Sequence, residues 1–327
     1  MTRLVESVPN VSEGRRLDVV ERLADALEAG PGVHLLDRTS DPSHNRTVFT
    51  LAGEPDAVAD ALDRLVATAI DEIDMEVHAG EHPRIGAVDV IPFVPLGDTT
   101  LDECVEMART FGQRIATRYG LPVYLYAAAA MRSDRVKLAD IRRGQYEGLK
   151  AEIDQTGRRP DFGPTAMHRR AGAVAVGARP FLIAWNINLA SDDVELAKRI
   201  ARRVRESGGG LPRVQANGFE VHEPERGQPR RAQVSMNLLD FSVTPLWQVW
   251  ETVRAEAAHD GIAVAESELI GLMPLAAFLD VADHAGAPAD APIEERLATA
   301  AASIGLRDFS PMQALELRLA ASAGTSL

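Results

Sequence analysis

The amino-acid sequence predicts an α+β fold, an α/β sandwich of two tandem ferredoxin-like βαββαβ subdomains, and three observations carry that prediction. Segments with strand and helix patterning follow one another as strand, helix, strand, strand, helix, strand, the order of a split βαβ unit. The same order begins again after Arg179. The chain has 327 residues, 46% of them hydrophobic, which suits two folded units rather than one.

Element by element, Leu4 to Val8 reads as a strand, and Ser12 with Glu13 introduces a helix whose apolar residues Leu17, Val20, Leu23, Ala26 and Leu27 share one face. Val33 to Asp37 and Thr47 to Leu51 read as short strands joined by a loop rich in turn residues. A helix is expected from about Pro55 to Ile73, a strand from Ala87 to Val94, a helix from Leu101 to Tyr119 and a strand from Pro122 to Tyr126. The second series has a strand Phe181 to Leu189, a helix Asp192 to Ser207 ended by Gly208 to Gly210, and a hairpin of Val214 to Glu223 with Arg231 to Leu239. Pro245 opens a helix with apolar face Leu246, Val249, Trp250 and Val253; Val264 to Leu269 closes the sheet and Met273 to Ala285 forms a last helix. The expected boundaries are 1–180, 181–286, and a linker with helical tail at 287–327.

A formal charge of -13 argues against a nucleic-acid partner, since phosphate binding needs a basic face. No apolar run reaches about 18 residues, so no membrane span is expected, and no signal-peptide pattern opens the chain. The expected location is the cytoplasm. The single cysteine, Cys104, reads as a buried structural thiol, and no zinc-binding pattern is present, so no metal is expected. Arginines cluster at Arg132, Arg135, Arg142 and Arg143, at Arg158 and Arg159, and at Arg169, Arg170 and Arg179. They are read either as a local patch for a carboxylate-bearing ligand or as solvated surface.

The segment richest in chemistry is Gly80-Glu81-His82-Pro83-Arg84-Ile85-Gly86. Proline keeps the residue before it out of the helical region, so His82 belongs to a loop, and Gly86 allows a sharp turn before the strand. An imidazole of ordinary pKa, about 6.5, exchanges protons at neutral pH, and a neighbouring carboxylate tunes it.

This segment, together with Val5 to Gly14, Asp41-Pro42-Ser43-His44-Asn45-Arg46, Pro160-Asp161-Phe162-Gly163-Pro164, Ala184-Trp185-Asn186-Ile187-Asn188-Leu189 and Val234 to Asp240, resembles the formiminotransferase family over nearly the whole chain. The resemblance implies transfer of a formimino group from N-formiminoglutamate to N5 of tetrahydrofolate in histidine degradation, with tetrahydrofolate as co-substrate, no metal, and a homodimer. It also implies that the cyclodeaminase domain fused to some members is absent. His82 stands where the family places its catalytic histidine, and the resemblance implies that it serves as general base and then as general acid. The family's folate-contacting stretch falls on Gly163, Pro164, Thr165, Ala166, Met167, His168, Arg169, Arg170, Ala171 and Gly172.

Asn10, Asn45 and Arg46 are candidate substrate contacts, since the amides both donate and accept hydrogen bonds and a guanidinium can hold a carboxylate. Bifunctional relatives carry aspartate where this chain has Thr39 and glutamate where it has Ala128. Asp37 and Asp41 are the nearest acidic replacements, with Glu81 and Arg84 as further supporting residues. Two other readings stay open at this stage: a formyl transferase acting on N-formylglutamate, and a non-catalytic folate-binding module.

Overall fold

Val5, Phe49, Leu51, Ile91 and Phe93 are fully buried on one face of a sheet, because alternate strand residues point the same way and every second one here is apolar. The computed structural model describes residues 3–223, 226 and 229–324. It divides into two units, Met1–Pro180 and Phe181–Leu327.

The first unit runs β1 (Arg3–Ser7), β2 (Asn10–Val11), α1 (Leu17–Glu28), β3 (Val33–Asp41), β4 (Arg46–Gly53), α2 (Pro55–Glu72), β5 (Val88–Gly97), α3 (Leu101–Tyr119), β6 (Val123–Ala127), α4 (Leu138–Ile141), α5 (Gln145–Glu152) and β7 (Val174–Ala178). Strand β1 lies between β4 and β5, with β3 outside β4, all antiparallel; this is the ferredoxin-like arrangement. Beyond β5 the sheet continues in parallel through β7 to β6.

Helix α3 starts and stops where its sequence says it should. Thr100 and Glu103 form a reciprocal capping box, and Gly120 ends the helix at φ +66°. Helix α1 begins later than expected, at Leu17, because Ser12 and Glu13 are used elsewhere. The Ser12 hydroxyl donates to the Gly86 carbonyl, and the Glu13 carboxylate accepts the Arg15 and Arg16 N–H groups. The buried face of α1 is accordingly Val19, Val20, Leu23, Ala24 and Leu27, with Leu17 exposed. The sequence reading also missed β7. Ala173 to Ala178 is apolar throughout and buried on both sides, so it has no alternation to detect. The opposite face of the sheet, including Val90, Tyr124, Tyr126 and Ala175, is covered by Ile141 of α4 and Leu149 of α5.

The second unit runs β8 (Ile183–Leu189), α6 (Val194–Val204), β9 (Val214–Val221), β10 (Arg231–Leu238), α7 (Leu246–His259), β11 (Val264–Ile270), α8 (Leu275–His284), α9 (Ile293–Ser303) and α10 (Leu315–Ala323). Its antiparallel order β11-β8-β10-β9 is again ferredoxin-like. Asp193 caps α6 through the Leu196 N–H, and Trp185 is buried beside Trp250 of α7. The turn expected between β9 and β10 lies partly outside the described residues. The C-terminal segment joins the second unit: the Ser267 N–H donates to Gly305 and the Leu315 N–H to Met273.

One contact fixes the loop before β5. Gly86 bridges Gly172, and a Cβ at Gly86 would sit 1.9 Å from the Ala173 carbonyl oxygen. Gly86→Ala must therefore push two chain segments apart, at a cost of about 1–3 kcal/mol or more. Urea unfolding should show this loss, together with reduced turnover; unchanged stability would contradict the close approach.

Candidate active site

Three loops of the first unit are laced together around the tip of the β3–β4 hairpin. Asp41 and Arg46 are the closing pair of the hairpin, and Asn45 takes φ +49° between them. The Asn45 side chain accepts from the Gly14 N–H at 3.0 Å and donates to the Ala79 carbonyl at 3.0 Å. His78 holds the Asn45 carbonyl at 3.1 Å, and the Glu81 N–H donates to the Ser43 carbonyl. Gly80 packs so closely that an added Cβ would lie 2.2 Å from the His44 oxygen. This lacing carries His82 to the hairpin tip, where its ring lies 6.2 Å from that of His44, edge to face.

The other side of the loop is held by charge. Asp89 is buried, accepts the Ile85 N–H at 2.7 Å and pairs with Arg142 at the end of α4. Burial raises the Asp89 pKa, while Arg142 and the Ile85 N–H pull the other way. Arg84 is also buried, in a fork on Glu147 at 2.7 and 2.9 Å, with further bonds to Gln145 and His78. It ties the loop to α5. Glu81 is exposed.

His82 is half-buried and lies among cations. Burial is the largest effect on its basicity, followed by the Arg46, Arg142 and His44 charges, with Asp41 alone opposing; together they lower its pKa to about 3. The ordinary value near 6.5 expected from sequence is corrected here, because desolvation and two guanidinium groups both disfavour the imidazolium. His82 is neutral at pH 7. Near it, the Arg46 Nε is buried without a hydrogen-bond partner, and no ion pair to Arg46 occurs among the described residues.

The remaining sequence candidates sort by position. Asp37, Thr39 and Asp41 share one face of β3, two residues apart, and Asp41 at the strand end is the carboxylate whose field reaches His82. Asp37 instead accepts the Thr39 hydroxyl at 3.4 Å. Asn10 turns back to the Val8 carbonyl, and Ala128 is exposed just beyond β6.

In the 163–172 stretch, Gly163, Pro164, Thr165, Ala166, Arg169 and Arg170 are exposed. Met167 and His168 are half-buried, while Ala171 and Gly172 are buried. The stretch is anchored beside the His82 loop by Ala87 N–H to Ala171 O, at 2.9 Å, and by the Gly86–Gly172 bridge. Five of the nine clustered arginines are already paired: Arg132 with Asp134, Arg135 with Asp161, Arg142 with Asp89, Arg158 with Glu152 and, at 4.0 Å, Arg170 with Asp74. A shared patch of free guanidinium groups does not form from them. Sequence reasoning had Arg142 in an arginine cluster and His44 in the loop expected near His82, without giving either a role at that histidine, and it missed Asp89 altogether. Asp89 left no signal, because an acidic residue inside an apolar strand shows its partner only in the fold.

Comparison with known proteins gives a consistent picture. Residues 4–179 match the family profile described as the formiminotransferase domain, N-terminal subdomain, and residues 184–318 match that of the formiminotransferase domain. The chain is 43% identical to a glutamate formimidoyltransferase of Streptococcus pyogenes serotype M1, over 87% of this chain and 93% of that protein. It is 46% identical to one of Thermoplasma acidophilum, over 86% and 91%. It is 46% identical to a formimidoyltransferase-cyclodeaminase of Rattus norvegicus, over 86% of this chain and 52% of that longer protein.

The depressed basicity of His82 has a stability signature. Between about pH 6.5 and 3 the unfolded chain binds a proton at this residue that the folded chain does not, so stability falls as pH drops through that window. His78, lowered chiefly by burial, acts with the same sign. His82→Gln should flatten the acid side of the stability curve in urea titrations from pH 7 to 4; an unchanged slope would contradict a buried neutral His82.

Proposed function

The chain belongs to the formiminotransferase family, and from that membership we propose that His82 is the base that serves transfer of a formimino group from N-formimino-L-glutamate to N5 of tetrahydrofolate, releasing L-glutamate. One observation supports this reading above the others: a neutral imidazole beside a guanidinium that has no ion pair among the described residues and a buried Nε without a hydrogen-bond partner there.

The attacking nitrogen must lose a proton as it bonds to the formimino carbon, and a neutral imidazole can accept it. The donor carries carboxylates, and Arg46 offers a charge-assisted hydrogen bond to one of them. That pairing has a second effect. Arg46 is the largest single charge opposing protonation of His82, so a bound carboxylate cancels part of its field and makes His82 a stronger base while substrate is present. Binding and basicity are thereby coupled. Arg169 and Arg170 are exposed beside this loop and suit the glutamyl carboxylates of the folate. Holding both reactants in line supplies much of the remaining acceleration. A cytoplasmic location and a homodimer complete the proposal.

Incubation with tetrahydrofolate should consume formiminoglutamate and leave formylglutamate untouched; an inert protein, or one using only the formyl donor, would sink the reading. His82→Ala should lower kcat by about 10² to 10⁴. Arg46→Met should raise KM for the donor by about 10- to 100-fold. With His82 at about 3 in the free protein, kcat/KM should show no His82 inflection near pH 6.5, and Arg46→Met should move its acid limb to higher pH. Light scattering that shows a monomer at assay concentration would remove the dimer.

A further inference from the structure

The hairpin tip carries a second imidazole that the reaction described above does not use. Nδ1 of His44 lies 2.5 Å from Oδ2 of Asp41. The turn does not need this contact, because the other Asp41 oxygen, Oδ1, already accepts the Ser43 and His44 N–H groups at 2.8 and 3.0 Å. With Nδ1 held by the carboxylate, Nε2 is left to exchange protons, and among the described residues it meets no hydrogen-bond partner. The ring stands edge to face with His82 at 6.2 Å between centroids.

The two rings have opposite surroundings. His82 faces the charges of Arg46, Arg142 and His44, opposed by the Asp41 carboxylate, while Asp89 is committed to Arg142. His44 holds the Asp41 carboxylate directly. A pair of titratable groups in contrasting environments is a device for dividing acid from base.

We propose that His44, oriented by Asp41, is the second proton-transfer group of this site: its Nε2 protonates the departing glutamate nitrogen while His82 accepts the proton of the attacking nitrogen. This rests on the formimino-transfer reading above. The bond from N5 to the formimino carbon forms and leaves N5 with one proton too many, which passes to His82. The carbon–nitrogen bond to glutamate then breaks, its electron pair staying on a nitrogen that has taken the His44 proton. Two nitrogens attached to one carbon are close enough to be served by two rings at this separation. Exchange with solvent removes the proton taken up by His82 and replaces the one delivered by His44, so protons and charge balance over a turnover. The Asp41–His44 pair also supplies a carboxylate to the site although residue 39 is threonine.

The test uses the full chain with tetrahydrofolate and formiminoglutamate. His44→Gln should lower kcat by about 100-fold with KM for both substrates within a few-fold of the parent, because only delivery of the proton is lost. His44→Ala should recover activity on addition of imidazole, which a purely structural role would not allow, and Asp41→Asn should lower kcat while retaining the fold by circular dichroism. A His44→Gln protein with the parent kcat and pH profile would overturn the proposal while leaving the transfer reaction standing. A parent protein with no transfer activity would overturn both. Should His44→Gln fail to fold, the imidazole response of His44→Ala and the kcat of Asp41→Asn decide, and parent-like Asp41→Asn kinetics or an absent rescue would overturn it.

Discussion

A carboxylate with no access to water, that of Asp89, is tolerable only because Arg142 and the Ile85 N–H surround it, and the site's geometry follows from satisfying that one group. The amide bond fixes the end of the His82 loop against the start of β5. The ion pair fixes α4 over the sheet and places a guanidinium beside His82. Losing one member of such a pair leaves the other charged and buried, a penalty of about 3–5 kcal/mol, so the arrangement holds as a unit. Arg142 is thus structural toward Asp89 and electrostatic toward His82.

The local field runs against the charge of the whole chain. A protein of formal charge -13 concentrates Arg46 and Arg142 at one histidine, half-buried, where solvent screens them poorly. Such a site favours anionic ligands and a neutral base together. Neither property belongs to His82 alone. The imidazole stays neutral because it is half-buried and, second, because the cations are close, and Arg46 stays available because the nearby acids are engaged: Asp41 with His44, and Asp89 with Arg142.

Asn45, read from sequence as a substrate contact, and Arg84, read as a supporting residue, both serve as joints. Asn45 spends both ends of its amide on the Gly14 and Ala79 backbones, and Arg84 spends its guanidinium on Glu147, Gln145 and His78. Such joints are what a loop-built site requires, since reacting groups on loops are only as well placed as their neighbours hold them. A sequence shows that asparagine and arginine can hydrogen-bond. It does not show that a partner dozens of residues away has already been found.

His82 in a loop, the turn chemistry of 41–46, the capped helix α3 and the repeated βαββαβ order were all legible in the sequence, because each depends on neighbours within a few residues: proline, glycine, a capping box, an apolar period. The insertion of β7 between β5 and β6 was not, since a strand buried on both faces has no alternation. Nor were the Asp89–Arg142 pair, the burial of the Arg46 Nε or the basicity of His82. Those are sums of burial and charge over segments far apart in the chain, and such sums take a value only once the chain has folded.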